Sequence, residues 1–425
     1  MSQIGAPRGT NDVYPPESAA WNELEANARE IAHRFGYGEI RTPMFEATEL
    51  FVRGVGEMTD IVEKEMYTFT DKGGRSMTLR PEWTAPVVRA LLQHNLLAQG
   101  AQRLYYIGPF FRYERPQAGR YRQANQFGVE CFGFAGPEAD AEVIQIASAL
   151  VARYGITDAR LQINTIGDEV CRPAYRDALL EHFRPHAAEL SPDSQRRLER
   201  NPLRMLDSKA PADAPFIASA PAFLDRLCLP CAAHFDRLRG YLDAIGLGYE
   251  VNPRLVRGFD YYTRTVFEIS SSALGSQSAV CGGGRYDGLV ASLGGPASPA
   301  VGFGLGLERF LMVVKATAGE AVAPRRGFQA IALGEAARTR LVPIVAALRR
   351  CGDAPAYMDF GERKIAAHFK LADRNGARYG IILGDDELAR DEVVLRDLVA
   401  RDERRLPLLA GAAETARVLV EASRE

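Results

Sequence analysis

Cysteine is scarce in this chain. Six residues, Cys131, Cys171, Cys228, Cys231, Cys281 and Cys351, are spread over 425 positions, mostly in apolar or helical surroundings. A disulfide framework needs a denser supply, so reduced thiols are expected. The only close pair is CLPC, Cys228 to Cys231. No second pair follows at zinc-finger spacing and no βαβ redox context surrounds it, so these cysteines read as structural and no metal is assigned. Histidine is equally sparse. His182 and His186 in HFRPH lack a third ligand and have Pro185 between them, which reads as a solvated helix face.

Other absences narrow the class further. No apolar run is long enough to span a bilayer, and MSQIGAPRGTND lacks the basic start and apolar centre of a signal peptide, so no membrane and a cytoplasmic location are expected. The formal net charge of -2 provides no bulk field to steer a nucleic acid, so any such partner must be met by local clusters of cations. No G-x-x-x-x-G-K-[ST] run occurs, and Gly302, Gly304 and Gly306 in GFGLGLERF do not fit the G-x-G-x-x-G fingerprint. A nucleoside triphosphate bound here would have its phosphates held by arginines, with Arg112 and Arg309 the candidates.

The length predicts two or three domains. SAAWNELEANAREIAHRFG reads as an amphipathic helix with Leu24, Ala28, Ile31 and Phe35 on one face and Gly36 at its end, followed by a short strand, YGEIRTP. A second helix is expected in RPEWTAPVVRALLQHN. RLYYIGPFFRYE and QANQFGVECFGF suggest a long antiparallel hairpin. From Asp168 to about Gly246, leucines at 179, 180, 190, 198 and 206 among charged residues indicate short helices in an inserted module. β-like pattern returns in LGYEVNPRLVRGFDYYTRTVFEIS, so one β-rich domain is split by an insertion. Lys315–Gly327 has linker composition, and strands alternating with helices beyond it predict a small α/β domain.

Alternation in the hairpin places Phe127, Val129 and Cys131 on one side, and Gln126, Gly128 and Glu130 on the other. A register that sets Arg112 on the Gln126 and Glu130 face gathers a cation, an amide and a carboxylate, with Gly128 leaving room for a ligand. A simple salt bridge of Arg112 to Glu114 or Glu130 fits the same pattern. Glu82 and Thr84 at a helix entrance can receive an ammonium group, or serve as ordinary caps. Arg257, Asp260, Tyr261 and Tyr262 crowd what reads as a core strand, where polar groups must be paired or used. In CGGGRYDG, three glycines beside Arg285, Tyr286 and Asp287 read either as close backbone approach to a ligand or as a tight turn.

Taken together these segments resemble histidyl-tRNA synthetases of class II, nearly end to end. FRYERPQAGRYRQ resembles motif 2 and its loop, GFGLGLERF resembles motif 3, and LVRGFDYYTRTVFE and CGGGRYDGL resemble the two histidine-specific segments. The resemblance implies an α+β fold: a class II antiparallel sheet flanked by helices, a helical insertion, and a C-terminal α/β anticodon-binding domain. Implied boundaries are 1–168 and 247–320 for the two catalytic parts, 169–246 for the insertion and 327–425 for the anticodon-binding domain.

It also implies the activity and the roles. Histidine would be activated with ATP and Mg2+ to histidyl-adenylate, then passed to the 3′ end of tRNA(His), by a homodimer. Arg112 and Arg257 would act at the α-phosphate, with Glu114 and Arg309 also binding ATP. Glu82, Thr84 and Gln126 would hold the α-amino group. Glu130 and Tyr262 would read the imidazole nitrogens, and Tyr261 and Tyr286 would line the pocket. Arg115, Arg120 and Arg122 would meet the tRNA acceptor end, and Arg363, Lys364 and Lys370 the tRNA phosphates in the C-terminal domain. Four residues in three segments depart from the family's usual pattern. Ala124 and Asn125 stand where an aromatic that can stack on adenine is common, Trp83 replaces a glycine, and Phe259 replaces a leucine. The competing reading is the family's non-catalytic paralogue, the regulatory subunit of ATP phosphoribosyltransferase, which generally lacks the C-terminal domain.

Overall fold

The structure, a computed structural model, describes residues 4–56, 59–318, 325–361 and 363–424. The chain divides into two compact units, Met1–Gly319 and Glu320–Glu425. The expected linker falls at this divide, and its residues 319–324 lie outside the described residues.

The first unit is organised by an eight-stranded sheet. Its order is Gly38–Glu39, Gln102–Phe111, Gln123–Phe132, Ala300–Gly306, Ala279–Arg285, Thr263–Ser271, Ala159–Thr165 and Glu250–Val251. Every pairing is antiparallel except those of the two-residue strands at the edges. The expected hairpin is present, and its two strands pair in continuous register from Gln102 opposite Phe132 to Phe111 opposite Gln123. Phe127, Val129 and Cys131 are fully buried in one core with Leu24, Ala28 and Ile31 of the Glu17–Arg34 helix, with Phe35 partly buried against it. Each large apolar side chain buried there contributes about 1.5–3 kcal/mol, which pins one face of the hairpin and leaves the other for the site.

Several local expectations need correction. The YGEIRTP strand is only Gly38–Glu39. The helix expected from RPEW onward begins at Thr84 and runs to Gln93. A three-stranded sheet of Phe45–Ala47, Ser76–Leu79 and Tyr67–Thr70 was not anticipated. Residues 252–262, read as part of a core strand, form a loop, and the strand starts at Thr263. Asn252 initiates the turn, with its Oδ1 accepting from Arg254 N at 3.0 Å, the side-chain competition with the backbone that ends regular structure.

Between Arg172 and Ala244 the chain is helical, as Arg172–Phe183, Pro192–Arg200, Ala214–Ala218 and Leu229–Ala244 joined by short 3-10 turns. Leu179, Leu190, Leu198 and Leu206 are buried and Leu180 partly so. They share a core with Tyr262, Val266 and Tyr286, so this block is packed onto the sheet rather than held apart. His182 and His186 do not converge on a metal: His182 Nε2 lies 2.8 Å from Phe216 O and His186 Nδ1 3.2 Å from Glu189 Oε1.

The second unit has a five-stranded sheet ordered Ala356–Met358, Phe328–Ala332, Tyr379–Leu383, Glu392–Asp397 and Glu403–Pro407. The first three strands are parallel and the last two are added antiparallel. Helices Glu335–Cys351, Ile365–Arg374 and Ala412–Ala422 accompany it, as the strand and helix alternation predicts. Among the described residues no helix is long and apolar enough to cross a membrane.

Candidate active site

A cavity of about 370 Å³ lies in the first unit. It is lined by Glu82, Thr84, Arg112, Glu114, Arg120, Gln126, Glu130, Arg257, Tyr261, Tyr262, Tyr286 and Arg309, twelve of the fourteen residues expected to meet histidine, ATP or the tRNA acceptor end. Arg115 and Arg122 are not among its lining. Arg115 is exposed, whereas Arg122 covers the Tyr113 ring at 4.0 Å and donates from its backbone N to Gly9 O at 2.7 Å.

One end of the cavity is built around a buried carboxyl group. Glu130 Oε1 accepts from Thr84 Oγ1 at 2.9 Å and from Tyr106 OH at 3.3 Å, and Oε2 accepts from Tyr286 OH. Burial pushes the Glu130 carboxyl up to about 8, against the pull of the Tyr286 and Thr84 hydrogen bonds. A nearby acceptor that gains a donor, such as an imidazole N–H, is favoured in its ionised form. Glu82 is also buried, and both its oxygens are engaged by the helix that starts at Thr84: Oε2 accepts from Thr84 N at 2.7 Å and Oε1 from Ala85 N at 2.8 Å. The helix entrance is therefore capped, and the capping carboxylate also faces the cavity.

The other end is cationic. Arg257 is paired through Nη1 to Glu268 Oε2 at 2.7 Å, while its Nε is buried with no hydrogen-bond partner. Arg112 donates Nε to Pro81 O at 2.8 Å and has Nη1 3.7 Å from Glu114 Oε1, so the salt bridge to Glu114 is loose and none is made to Glu130. Arg309 is fixed by Nε to Gly119 O and Nη1 to Ala279 O, both at 2.9 Å. These bonds tie the loop between the hairpin strands to the sheet. Arg120 lies 3.4 Å from Glu114 Oε2. A second cavity of about 320 Å³ shares Arg112, Glu114, Arg120, Arg257 and Tyr262 with the first and adds Arg172, Arg197 and Arg204. Asp260 faces this second space, where it accepts from Asn201 Nδ2 at 3.1 Å and Arg204 Nε at 3.3 Å.

Glycines make the seats for these side chains. A Cβ on Gly302 would lie 2.0 Å from Glu130 Oε2, and one on Gly282 would lie 2.0 Å from Arg257 Nη2. The CGGG run is thus strand, not turn, and its Gly282 yields space to a protein side chain. Gly128 corrects a second expectation: its missing side chain is replaced by Tyr106, whose OH would be 2.3 Å from a Cβ there. Arg285 does not face the cavity. It is fully buried, with Nε 3.0 Å from Asp140 Oδ1 and Nη1 3.0 Å from Asp287 Oδ1, and Asp140 also meets His234 and Thr265.

Sequence reasoning missed Tyr106, Glu268 and Glu308. Tyr106 bridges Glu130 and Gln126, with Gln126 Nε2 3.4 Å from its OH. Trp83 stacks on Tyr106 at 4.5 Å, under the Arg80 guanidinium at 3.3 Å, so the indole that replaces glycine is part of the support for Tyr106. Glu308 fixes Asn125, accepting from its backbone N at 2.8 Å and its Nδ2 at 3.0 Å. Ala124 is buried on the cavity wall. Glu268 carried a legible signal, a lone carboxylate in the apolar strand TVFEIS. Tyr106 carried none.

Comparison with known proteins adds the relatives. The family described as histidyl-tRNA synthetase matches residues 9–310, and the anticodon binding domain family matches residues 330–414. The histidine–tRNA ligase of Desulforudis audaxviator is 52% identical over 407 residues, covering 95% of this chain and 96% of that one. That of Moorella thermoacetica is 49% identical over 407 residues, with 95% and 96% covered. The crystal structure of apo histidyl-tRNA synthetase from S. aureus superposes with a TM-score of 0.81 at 36% identity, covering all of both chains.

Proposed function

We infer, since the chain belongs to the histidyl-tRNA synthetase family, that the cavity between Glu130 and Arg257 is where histidine and ATP meet. The activity is that of a histidine–tRNA ligase: histidine and ATP give histidyl-adenylate and pyrophosphate, and the histidyl group then passes to tRNA(His). The observation that carries the assignment of the site is one cavity lined both by a buried acceptor, Glu130, and by three arginines, Arg112, Arg257 and Arg309.

Glu130 accepts the imidazole N–H, Tyr262 donates to the other ring nitrogen, and Tyr261 and Tyr286 form the walls. Glu82, Thr84 and Gln126 receive the α-ammonium group. Arg112 and Arg257 stand where the carboxylate of histidine approaches the α-phosphate, and neutralising two anions there lowers the barrier. Arg257 is suited to this by its unpartnered Nε. Arg309 and Glu114 hold the rest of ATP. Glu114 Oε2 is buried with no hydrogen bond, only the ion pair to Arg120, and a hard oxygen donor beside the triphosphate fits Mg2+. When bound, Mg2+ supplies charge neutralisation at the phosphates.

On this reading residues 1–168 and 247–320 form the catalytic part, 169–246 the insertion and 327–425 the anticodon-binding part. Arg115, Arg120 and Arg122 meet the acceptor end, with Arg120 the one that also reaches the cavity. Arg363, Lys364 and Lys370, all exposed, meet tRNA phosphates. The enzyme works in the cytoplasm as a homodimer; a monomer mass in light scattering would overturn the latter. The regulatory reading is disfavoured by the matched anticodon binding domain and by the histidine-specific residues Arg257, Tyr261, Tyr262 and Tyr286 all lining one cavity.

The test is histidine-dependent exchange of labelled pyrophosphate into ATP, with Arg257→Ala beside the wild type. Exchange that collapses in the variant supports adenylate formation at this centre. No exchange with histidine from folded protein would sink the assignment.

A further inference from the structure

We propose that Asp168, Cys171, Cys228 and Cys231 form a structural zinc site at the root of the helical block. One ligand atom from each, three sulfurs and a carboxylate oxygen, all lie within 4.8 Å of one another. Cys171 Sγ is 3.4 Å and Cys228 Sγ 3.7 Å from the same oxygen, Asp168 Oδ1. Tetrahedral zinc, with bonds of about 2.3 Å to sulfur and about 2.0 Å to oxygen, has ligand-to-ligand edges of about 3.5–3.8 Å. The cluster already has that size to within about 1 Å. In the sequence the CLPC pair lacks a partner pair because the partner is Asp168-Glu-Val-Cys171, in which a carboxylate takes the place of the fourth thiol.

The surroundings are those of a ligand shell. Cys171 immediately precedes the Arg172–Phe183 helix, and Cys228 immediately precedes the Leu229–Ala244 helix with Cys231 in its first turn. Two helix starts therefore bring the three sulfurs together. Asp168 is oriented from behind: Val170 N donates to Oδ1 at 3.1 Å, and Arg264 Nη2 lies 3.4 Å from Oδ2. Outer partners of this kind fix a metal-binding carboxylate. Gly167 is required for the approach, since a Cβ there would lie 2.5 Å from Cys171 Sγ.

Three sulfurs and one oxygen select zinc over magnesium or calcium, and four protein ligands leave no open position for catalysis. On binding, the three thiols release their protons to solvent and no electron transfer is involved. None of the four residues lines the histidine and ATP cavity. The ion would clip both long helices of the block to the end of the Ala159–Thr165 strand.

The experiment is metal analysis of the full-length chain, purified under reducing conditions without a histidine tag and reconstituted with zinc. About one zinc per chain is expected, released when an organomercurial titrates the thiols. Cys228→Ser and Cys231→Ser should each lose it, while Cys351→Ser, an exposed thiol in the second unit, should keep it. Should Cys231→Ser not fold, cobalt substitution of the wild type decides: intense tetrahedral d–d bands with thiolate charge transfer support the site. Reconstituted wild-type protein without bound metal, whether its thiols are all free or two are joined in a disulfide, overturns it.

Discussion

Gly302 stands directly opposite Glu130 across two paired strands, and a methyl group on it would fall 2.0 Å from Glu130 Oε2. The Glu130 carboxyl group is therefore held in a slot that its neighbouring strand leaves open. Gly304 does the same for Gln126, whose Nε2 would be 1.5 Å from an added Cβ.

Gly302→Ala should displace Glu130. The expected outcome is a rise in the KM for histidine of on the order of 10-fold or more, with the KM for ATP little changed, and a loss of about 1–3 kcal/mol in stability from overpacking. Pyrophosphate exchange and thermal unfolding measure the two effects. Equal rises in both KM values would show that the slot does not serve histidine selectively.

Glu130 also gives a pH prediction. Its ordinary value of 4.5 is raised to about 8 by burial, so between these values the folded chain holds a proton that the unfolded chain has released. The folded state then binds more protons, and stability falls as pH rises through this window. Glu130→Gln should remove that slope, melting higher relative to wild type at about pH 8 than at about pH 5. A difference in Tm that does not vary with pH would contradict the assignment.

The same substitution should weaken histidine. A hydrogen bond to a charged acceptor contributes about 1.5–3 kcal/mol, so the histidine KM should rise on the order of 10- to 100-fold. Analogues lacking a ring nitrogen should be rejected less strongly than by wild type, read as the ratio of kcat/KM values. Discrimination unchanged from wild type would remove Glu130 from the imidazole.

Glu268→Gln tests how Arg257 is aimed. The Arg257 to Glu268 contact of 2.7 Å is the side-chain hydrogen bond that orients the guanidinium. The variant should lower kcat more than it raises either KM, since the cation is retained but less well placed. A loss confined to KM would make Glu268 a binding group.

The hairpin shows how much of this could be read from the chain. Gln126 and Glu130 are assignable to one face because alternation is local, and Arg112 and Arg309, picked out because the P-loop is missing, both line the cavity. Tyr106 was not assignable, because its meeting with Glu130 depends on a register set by the whole hairpin. Arg285 was grouped with the ligand by its neighbours in sequence, but strand geometry sends it to the opposite side, where Asp140 is supplied by the Pro137–Arg153 helix. The thiol cluster was illegible for the same reason: Cys171 and Cys228 are joined only by the folding of the helices between them. The helical insertion and the second unit's α/β pattern were legible because helix and strand periodicities there are short-range.

Beside the shared core, backbone bonds join the root of the helical block to the strand that follows the pocket loop. Arg172 donates to the carbonyl of Tyr262, Arg264 N donates to Gly167 O at 2.7 Å, and Ile166 N donates to Arg264 O at 2.8 Å. Arg264 is held there at φ 50, a backbone state that costs a non-glycine residue about 1–2 kcal/mol. This junction is a weld rather than a hinge. The peptide that carries the Tyr262 ring is thus fixed from the helical block as well as from its own sheet, and the aromatic wall of the cavity inherits its position from both.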